Sequence, residues 1–238
     1  MEKIIHRAGS RGHANHGWLN THHTFSFANY HNPERIHFGA LRVLNDDEVS
    51  GGMGFGTHPH DNMEIVSIPL EGSLEHQDSM GNKTVIRKGE VQIMSAGTGV
   101  RHSEKNHSNT DPVKFLQIWV FPEEKGIEPN YDQKFFEASE RQNKIQTVVS
   151  PIDSIDGGVK IHQQSWFSLS DIQTTNDVTY TMHNKKNGLY LFVLEGKISV
   201  AEDTLEKRDG IGLNGVDKIV IAATENAEIL LMEVPMFA

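Results

Sequence analysis

The chain has 238 residues, with 37% hydrophobic and 23% charged residues, a formal net charge of −10 and no cysteine. This composition predicts a globular protein with a substantial core, excludes disulfides and thiolate sites, and argues against direct nucleic-acid binding, which favours basic patches. No apolar run reaches 18 residues and the N-terminus lacks the apolar stretch of a secretory signal, so we expect a cytoplasmic protein without a membrane span. Histidine is unusual in its distribution, because eleven of the 14 precede residue 103.

Short apolar segments separated by glycine-containing turns run along the whole chain. In the first half they are FGALRVLN, MEIVSIPL, SLEHQD, EVQIMSA and KFLQIWVF, and in the second GVKIHQQ, DVTYTM, GLYLFVL, KISVAE, DKIVIAA and AEILLMEV. Strands of this length, spaced by about ten residues, predict antiparallel sandwiches or barrels. The segment YDQKFFEASERQN is predicted to be a connector with one or two helical turns.

The two halves resemble each other. LEG at 70–72 recurs at 194–196, and RKGE at 87–90 has a counterpart in RDGI at 208–211. A repeat of this length with strands in matching order indicates a duplicated domain, although LEG is a common turn and chance recurrence is the alternative. We predict domains at 1–130 and 131–238.

The first half contains two pairs of candidate metal ligands. His58 and His60 are two residues apart, so a strand would place both side chains on one face. An isolated pair of this kind is more often solvent-facing, but His102 and Glu104 repeat the spacing. Three imidazoles and a carboxylate favour Fe, Mn, Ni, Cu or Zn over Ca or Mg.

Glu64 is a rival carboxylate on the same face as His60. Four residues of extended strand span ~13 Å, too far for one ion, so a turn within PHDNM would be needed to bring Glu64 back. Its alternative role is a polar residue of the core.

These residues resemble the two sequence motifs of the cupin superfamily. The matching positions are Gly52, His58, His60, Glu64 and Gly72 in the first motif, and Gly89, Gly99, His102 and Asn106 in the second. Seven residues separate Glu64 from Gly72 where the motif has six, and the usual proline of the second motif is missing. Over residues 6–122, blocks such as HTFSFANY, THPHDNMEI and GEVQIMSAGTGVRHSE are similar to those of the pirin family.

The resemblance implies an all-β bicupin, in which two antiparallel β-barrel domains of the jelly-roll type pack face to face. It also implies a metal in the N-terminal barrel alone, and it favours Glu104 over Glu64 as the carboxylate ligand. The family's ligands carry over onto His58, His60, His102 and Glu104.

The C-terminal half agrees with loss of the metal. Aligned on LEG, the places of His58, His60 and Glu64 fall to Met182, Asn184 and Gly188. Aligned on RKGE and RDGI, those of His102 and Glu104 fall to Ala223 and Glu225. His183 is out of step with the ligands and is predicted to be a surface or strand residue.

The resemblance implies a quercetin 2,3-dioxygenase activity, in which O2 cleaves a flavonol and carbon monoxide is released. We expect one divalent metal, Fe(II) above Mn, Ni, Cu or Zn, an aromatic or enolizable small-molecule substrate, and Glu104 as both ligand and catalytic base. Candidate pocket walls are Phe25, Phe27, Met53 and Phe55, with barrel core as their alternative role. His22 and His23 are candidates for the site entrance, with an ordinary surface segment as the alternative.

Two other functions are open at this point. Pirins are also described as metal-dependent regulators, so the chain could bind a protein partner without turnover, its metal biasing a surface. A cupin isomerase or hydrolytic enzyme could use the same ligands to hold zinc. A ligand-sized pocket opening on the metal would favour the enzyme over the regulator.

Overall fold

The computed structural model describes residues 1–237, which form 22 strands and two short 3-10 helices. The strands of the first half are β1 Glu2–His6, β2 Gly12–Asn15, β3 Leu19–His23, β4 Leu41–Val49, β5 Gly54–His60, β6 Glu64–Glu71, β7 Ser73–Asp78, β8 Lys83–Arg87, β9 Glu90–Ser95, β10 Val100–Asn106, β11 Val113–Val120 and β12 Asn130–Phe135. Those of the second half are β13 Gln146–Pro151, β14 Val159–Ile161, β15 Trp166–Ile172, β16 Asp177–Thr181, β17 Asn187–Glu195, β18 Lys197–Val200, β19 Asp203–Glu206, β20 Gly210–Asn214, β21 Lys218–Ala223 and β22 Ala227–Pro235. The 3-10 helices are Ala8–Ser10 and Ala138–Arg141, so the predicted connector is part strand and part helical turn.

Each half is a pair of sheets that enclose a barrel interior. In the N-terminal half a seven-stranded sheet, β12-β9-β6-β11-β4-β3-β2, faces a four-stranded sheet, β5-β10-β7-β8. The C-terminal half repeats the plan with β1-β20-β17-β22-β15-β13-β14 and β16-β21-β18-β19. The strands within these sheets pair antiparallel except β13 with β14.

The alternation of strand side chains separates two kinds of core. On β11, Phe115 points into the N-terminal barrel and packs with Leu74 and Ile86, whereas Leu116 and Ile118 point outward. The outward residues meet Phe192 and other apolar side chains of the C-terminal seven-stranded sheet in one large buried cluster. The two large sheets are therefore packed face to face, which confirms the predicted bicupin.

The two LEG turns are structurally equivalent. Gly72 joins β6 to β7 and Gly196 joins β17 to β18, so both lie where the chain passes from the large sheet to the small one. Both have positive φ, +76° and +79°, and a Cβ at either position would approach a backbone oxygen, of Pro112 or Asn226, to within 3 Å. Glycine is required in both turns for the same reason, as expected of a duplication.

Sheet membership departs from the division at 1–130 and 131–238 in two strands. β1 pairs with β20 in the C-terminal sheet, and β12 pairs with β9 in the N-terminal sheet. β1 thus crosses from the N-terminal end of the chain into the C-terminal sheet, whereas β12 follows β11 in the chain and only overruns the predicted boundary. Among the described residues, no helix is long or apolar enough to cross a membrane.

Candidate metal centre

Three of the predicted ligands meet at one end of the N-terminal barrel. Antiparallel pairing of β5 with β10 places His58 directly opposite His102, and His60 opposite Val100. Nε2 of His58 and Nε2 of His102 are 3.0 Å apart, and one ring nitrogen from each of the three histidines lies within 4.8 Å of the others. This spacing suits nitrogen ligands around a single ion, whose bonds are each about 2.1 Å long.

The surroundings orient two of these rings. Nδ1–H of His58 donates a hydrogen bond to the carbonyl oxygen of Gly56 at 2.8 Å, which leaves Nε2 free as a ligand. His60 packs edge-on against the indole of Trp119 at 4.9 Å between ring centroids. Nδ1 of His102 is buried and has no hydrogen-bond partner in the part of the chain that the structure describes.

Burial keeps His60 and His102 neutral. Burial lowers the pKa of His60 to about 4, with a further contribution from His58. Burial, followed by the neighbouring His58, His60 and His76, lowers the pKa of His102 to about 2. Neutral imidazole is the form that binds metals, so these two residues need no deprotonation at neutral pH.

Glu104 lies beside this cluster, fully buried on β10. Its Oε2 accepts a 2.6 Å hydrogen bond from Nε2 of Gln117, and its Oε1 lies 3.2 Å from Oγ of Ser67. It forms a second group with His102 and His76 rather than joining the first, again with ligand atoms within 4.8 Å. Burial raises the pKa of Glu104 to about 7, although the hydrogen bonds from Ser67 and Gln117 lower it.

Glu64 lies outside both groups. Its Oε2 accepts hydrogen bonds from Oγ of Ser95 at 2.8 Å and from the backbone N–H of His162 in the C-terminal half at 3.1 Å. The alternative role, a polar core residue, describes it best, and it also ties the two halves together.

His76 was missed by the sequence analysis. It is fully buried on β7, opposite Glu104, and Asp78 of the same strand lies opposite His102. The segment EHQD has the same two-residue spacing as the predicted ligand pairs, and this was the signal that could have revealed it.

The donor set fits a divalent transition metal. Three neutral nitrogens converge, a carboxylate lies next to one of them, and a buried ring nitrogen is unpartnered in residues 1–237. Such nitrogen-rich sites favour Fe, Mn, Ni, Cu or Zn.

A cleft of about 850 Å³ opens on the histidines. Its lining combines His58 and His60 with apolar and polar neighbours: Pro59, Asp61, Met63, Ser79, Thr98, Gly99, Val100, Arg101 and Trp119. Clefts of this volume accommodate small organic ligands. Trp119 was missed because its orientation depends on the parity of β11, where it shares the inward face with Phe115 and Gln117.

The predicted pocket walls lie elsewhere. Phe25 belongs to the core between the large sheets, and Met53 and Phe55 line a separate depression. Phe27 contacts the site indirectly, with its ring edge-on to Trp119 at 5.3 Å. Met53 and Phe55 flank the ligand motif in sequence, but they do not line the cleft.

The predicted entrance histidines are not among the cleft-lining residues. His22 stacks on His13 at 4.5 Å, and Nδ1 of buried His23 lies 2.8 Å from Oδ1 of Asn45.

The C-terminal barrel has apolar residues where His102 and Glu104 lie. Leu74 pairs with Asn106, and its LEG-aligned counterpart Ile198 pairs with Ala223. Counting back along β21 puts Ile221 and Ile219 in the places of Glu104 and His102. The sequence alignment to Glu225 and Ala223 was wrong for two reasons. Gln92 lies opposite Ser67 and Ile211 opposite its counterpart Leu191, so RDGI is already out of register with RKGE, and the chain from there to β21 is shorter than that to β10.

Comparison with known proteins identifies the family. The Pirin family model matches residues 5–120, and the model of the quercetinase C-terminal cupin domain matches residues 147–234. Quercetin 2,3-dioxygenase of Escherichia coli K12 is 45% identical over 235 residues, which are 97% of this chain and 98% of that protein. This chain belongs to the pirin family.

Solved structures agree with this pirin fold. The bacterial pirin YhhW from Escherichia coli in complex with nickel(II) has a TM-score of 0.93 and 42% identity, covering 99% of this chain and 100% of that one. Among the sequence relatives, a pirin-like protein of Caulobacter vibrioides is 36% identical over 222 residues, covering 93% of this chain and 95% of that protein. The nickel complex and the converging histidines support a divalent metal in this pirin.

Proposed function

We propose that this pirin is a metal-dependent dioxygenase that cleaves quercetin or a related enolizable aromatic compound with O2 and releases carbon monoxide. The observation that carries the proposal is the cluster of His58, His60 and His102, the first two of which line an 850 Å³ cleft. The relative from Escherichia coli K12 is named for this reaction. A cleft of that size beside the metal ligands favours an enzyme over a purely regulatory protein.

The cleft has the chemistry to accept a flat aromatic molecule. Met63, Val100 and the indole of Trp119 supply apolar surface close to the metal ligands. The remaining lining is polar, with the hydroxyls of Ser79 and Thr98 and the charges of Asp61 and Arg101. Apolar walls with a few polar groups are typical of sites that orient a small substrate.

We propose His58, His60, His102 and Glu104 as the residues that hold the metal, with Fe(II) as the ion. When bound, the ion supplies Lewis acidity that lowers the pKa of a substrate hydroxyl. To serve as the fourth ligand, Glu104 would turn its carboxylate from Gln117 and Ser67 towards the three histidines.

Glu104 is also the proposed proton acceptor. Burial brings its pKa to about 7, so the carboxylate can take up a proton at neutral pH. The amide of Gln117, 2.6 Å from Oε2, holds the carboxyl group in place.

The test is turnover by protein reconstituted with Fe(II) under anaerobic conditions and then exposed to O2 with quercetin. We expect loss of quercetin with one equivalent of carbon monoxide, and no turnover by His102→Ala. Mn, Ni and Cu are assayed in the same way. Absence of turnover with every bound metal would contradict the proposal and favour a regulatory pirin that binds a protein partner.

A further inference from the structure

Behind His102 lies a fourth histidine, His76, to which the proposed reaction assigns no role. His76 is fully buried on β7, and its Nε2 lies 3.0 Å from Oδ2 of Asp78, which is itself buried. The ring of His76 packs on that of Tyr131 at 4.9 Å and lies 5.3 Å from that of His102. His76 therefore borders the metal site from within the barrel, away from the cleft.

Asp78 determines which nitrogen of His76 carries the proton. Its Oδ1 accepts the backbone N–H groups of Met80 and Asn82, and its Oδ2 accepts Nδ2 of Asn82. Its carboxylate has no proton to give, so Nε2 of His76 must be the donor in their contact. Neutral His76 then has a lone pair on Nδ1, and this buried atom has no hydrogen-bond partner within residues 1–237.

His102 requires a hydrogen-bond acceptor for its Nδ1–H. Its Nε2 points towards Nε2 of His58 and is the atom positioned to bind the ion, so its proton belongs on Nδ1. That N–H is buried and also lacks a partner in the described chain. His58 satisfies the same requirement through the carbonyl of Gly56, for which His102 has no equivalent.

We propose that His76, held by Asp78, is a positioning residue that accepts the Nδ1–H of His102 and directs the opposite nitrogen of that ring to the metal. The two Nδ1 atoms are not hydrogen-bonded to each other in the structure, so the bond requires the neighbouring rings to turn, and it then pairs one buried donor with one buried acceptor. Histidine ligands are held in this way by groups behind them, whose loss typically lowers metal affinity about 10–100-fold. The inference rests on the proposed ligand set but not on the identity of the substrate.

Asp78→Asn tests the proton assignment. The backbone donors of Met80 and Asn82 require an oxygen at the position of Oδ1, so the new amide nitrogen would face Nε2 of His76. The proton of His76 would move to Nδ1, where it opposes the Nδ1–H of His102. His76→Phe removes both nitrogens while keeping a ring against Tyr131.

Zn(II) affinity of metal-free protein, measured by competition with a chelator, should fall about 10–100-fold in both variants. His107→Gln, a change at a half-exposed histidine beside β10, is the matched control and should bind Zn(II) as the wild type does. In Zn(II)-loaded, ¹⁵N-histidine-labelled wild type, a ¹⁵N–¹⁵N coupling across the hydrogen bond should link Nδ1 of His102 to Nδ1 of His76.

Wild-type Zn(II) affinity in Asp78→Asn, or a His76 proton found on Nδ1 in the wild type, would overturn the inference. Neither measurement requires turnover. If quercetin is not consumed but the coupling is present, the proposed function fails and the positioning role stands.

Discussion

The two barrels have the same plan but opposite chemistry at equivalent ends. Strand pairing places Trp119 opposite Ile65 in one and Glu233 opposite Leu189 in the other, and Ile65 and Leu189 correspond through the LEG turns. In the N-terminal barrel, Trp119 packs beside histidines with nitrogens available for a metal. In the C-terminal barrel, the carboxylate of Glu233 occupies the corresponding place.

Glu233 is saturated by protein donors. It accepts hydrogen bonds from the hydroxyl of Tyr180 at 2.9 Å, from the backbone N–H of His183 at 3.0 Å and from that of Asn184 at 2.9 Å. Nδ2 of Asn187 at 3.1 Å and Nδ1 of His183 at 3.0 Å complete the set. We propose that the residues around one mouth bind an ion. Those around the other bind a carboxylate of their own chain, which fits a structural role for the C-terminal barrel.

The largest effect that separates the two barrels should come from Glu233→Ala. Several buried donors would lose their acceptor, so we expect a loss of about 3–5 kcal/mol in the free energy of unfolding. Metal content should be unchanged because the N-terminal ligands are untouched. Urea unfolding and metal analysis of the purified variant measure both quantities.

Glu225→Ala is the matched control, because Glu225 is exposed and its side chain has no hydrogen-bond partner among the described residues. It should change stability by less than about 0.5 kcal/mol. A Glu233→Ala protein as stable as this control would contradict the structural role of the C-terminal mouth.

A smaller effect concerns pH and distinguishes the buried carboxyl groups of the two halves. Burial raises the pKa of Glu64 to about 7, against hydrogen bonds from His162 and Ser95. Burial also opposes ionisation of Glu233, but the hydrogen bonds from His183, Asn184 and Tyr180 together hold its pKa below the usual value. The two groups should therefore affect stability in opposite directions as pH rises.

The sign follows from proton binding. Native Glu64 keeps its proton to higher pH than Glu64 of the unfolded chain. Its contribution to the free energy of unfolding is therefore full below about pH 4.5 and is lost as pH rises through 7. Native Glu233 loses its proton more readily than Glu233 of the unfolded chain. Its contribution to the free energy of unfolding is therefore present above the pKa of the unfolded chain and is lost in acid.

Metal-free wild type should lose stability between pH 5 and pH 8, and Glu64→Gln should make that loss smaller by roughly 2 kcal/mol. Asp47 and Glu104, whose pKa values burial also raises to about 7, will leave a residual slope. Urea midpoints at the two pH values give the result, with exposed Glu128→Gln as the control. An unchanged slope in Glu64→Gln would show that this carboxyl does not keep its proton in the native protein.

Local patterns in the sequence were sufficient to predict the strands, the duplication and the convergence of the three histidines. The period of two along each strand determines which side chains share a face, and the paired spacing at His58 and His102 predicts a metal site on that face. Both barrels follow from the same reasoning, because each half repeats the order of strands and turns.

Properties that depend on pairing between distant strands could not be predicted from the sequence. The counterparts Ile219 and Ile221 follow from the register of β18 with β21, and the addition of β1 to the C-terminal sheet is a matter of topology. Trp119 lies in the cleft because β11 presents its odd-numbered residues to the barrel interior. Glu233 lies far from the LEG turn in sequence, so no local motif indicates that it fills the second mouth.

The most direct test of the account is metal stoichiometry in wild type, His102→Ala and His183→Ala, with circular dichroism to confirm the β-fold. We predict one ion per chain in the wild type, strong loss of metal in His102→Ala and full metal occupancy in His183→Ala, because the ring of His183 is hydrogen-bonded to Glu233. Equal loss of metal in both variants, or retention in His102→Ala, would contradict the assignment of the metal centre to the N-terminal barrel.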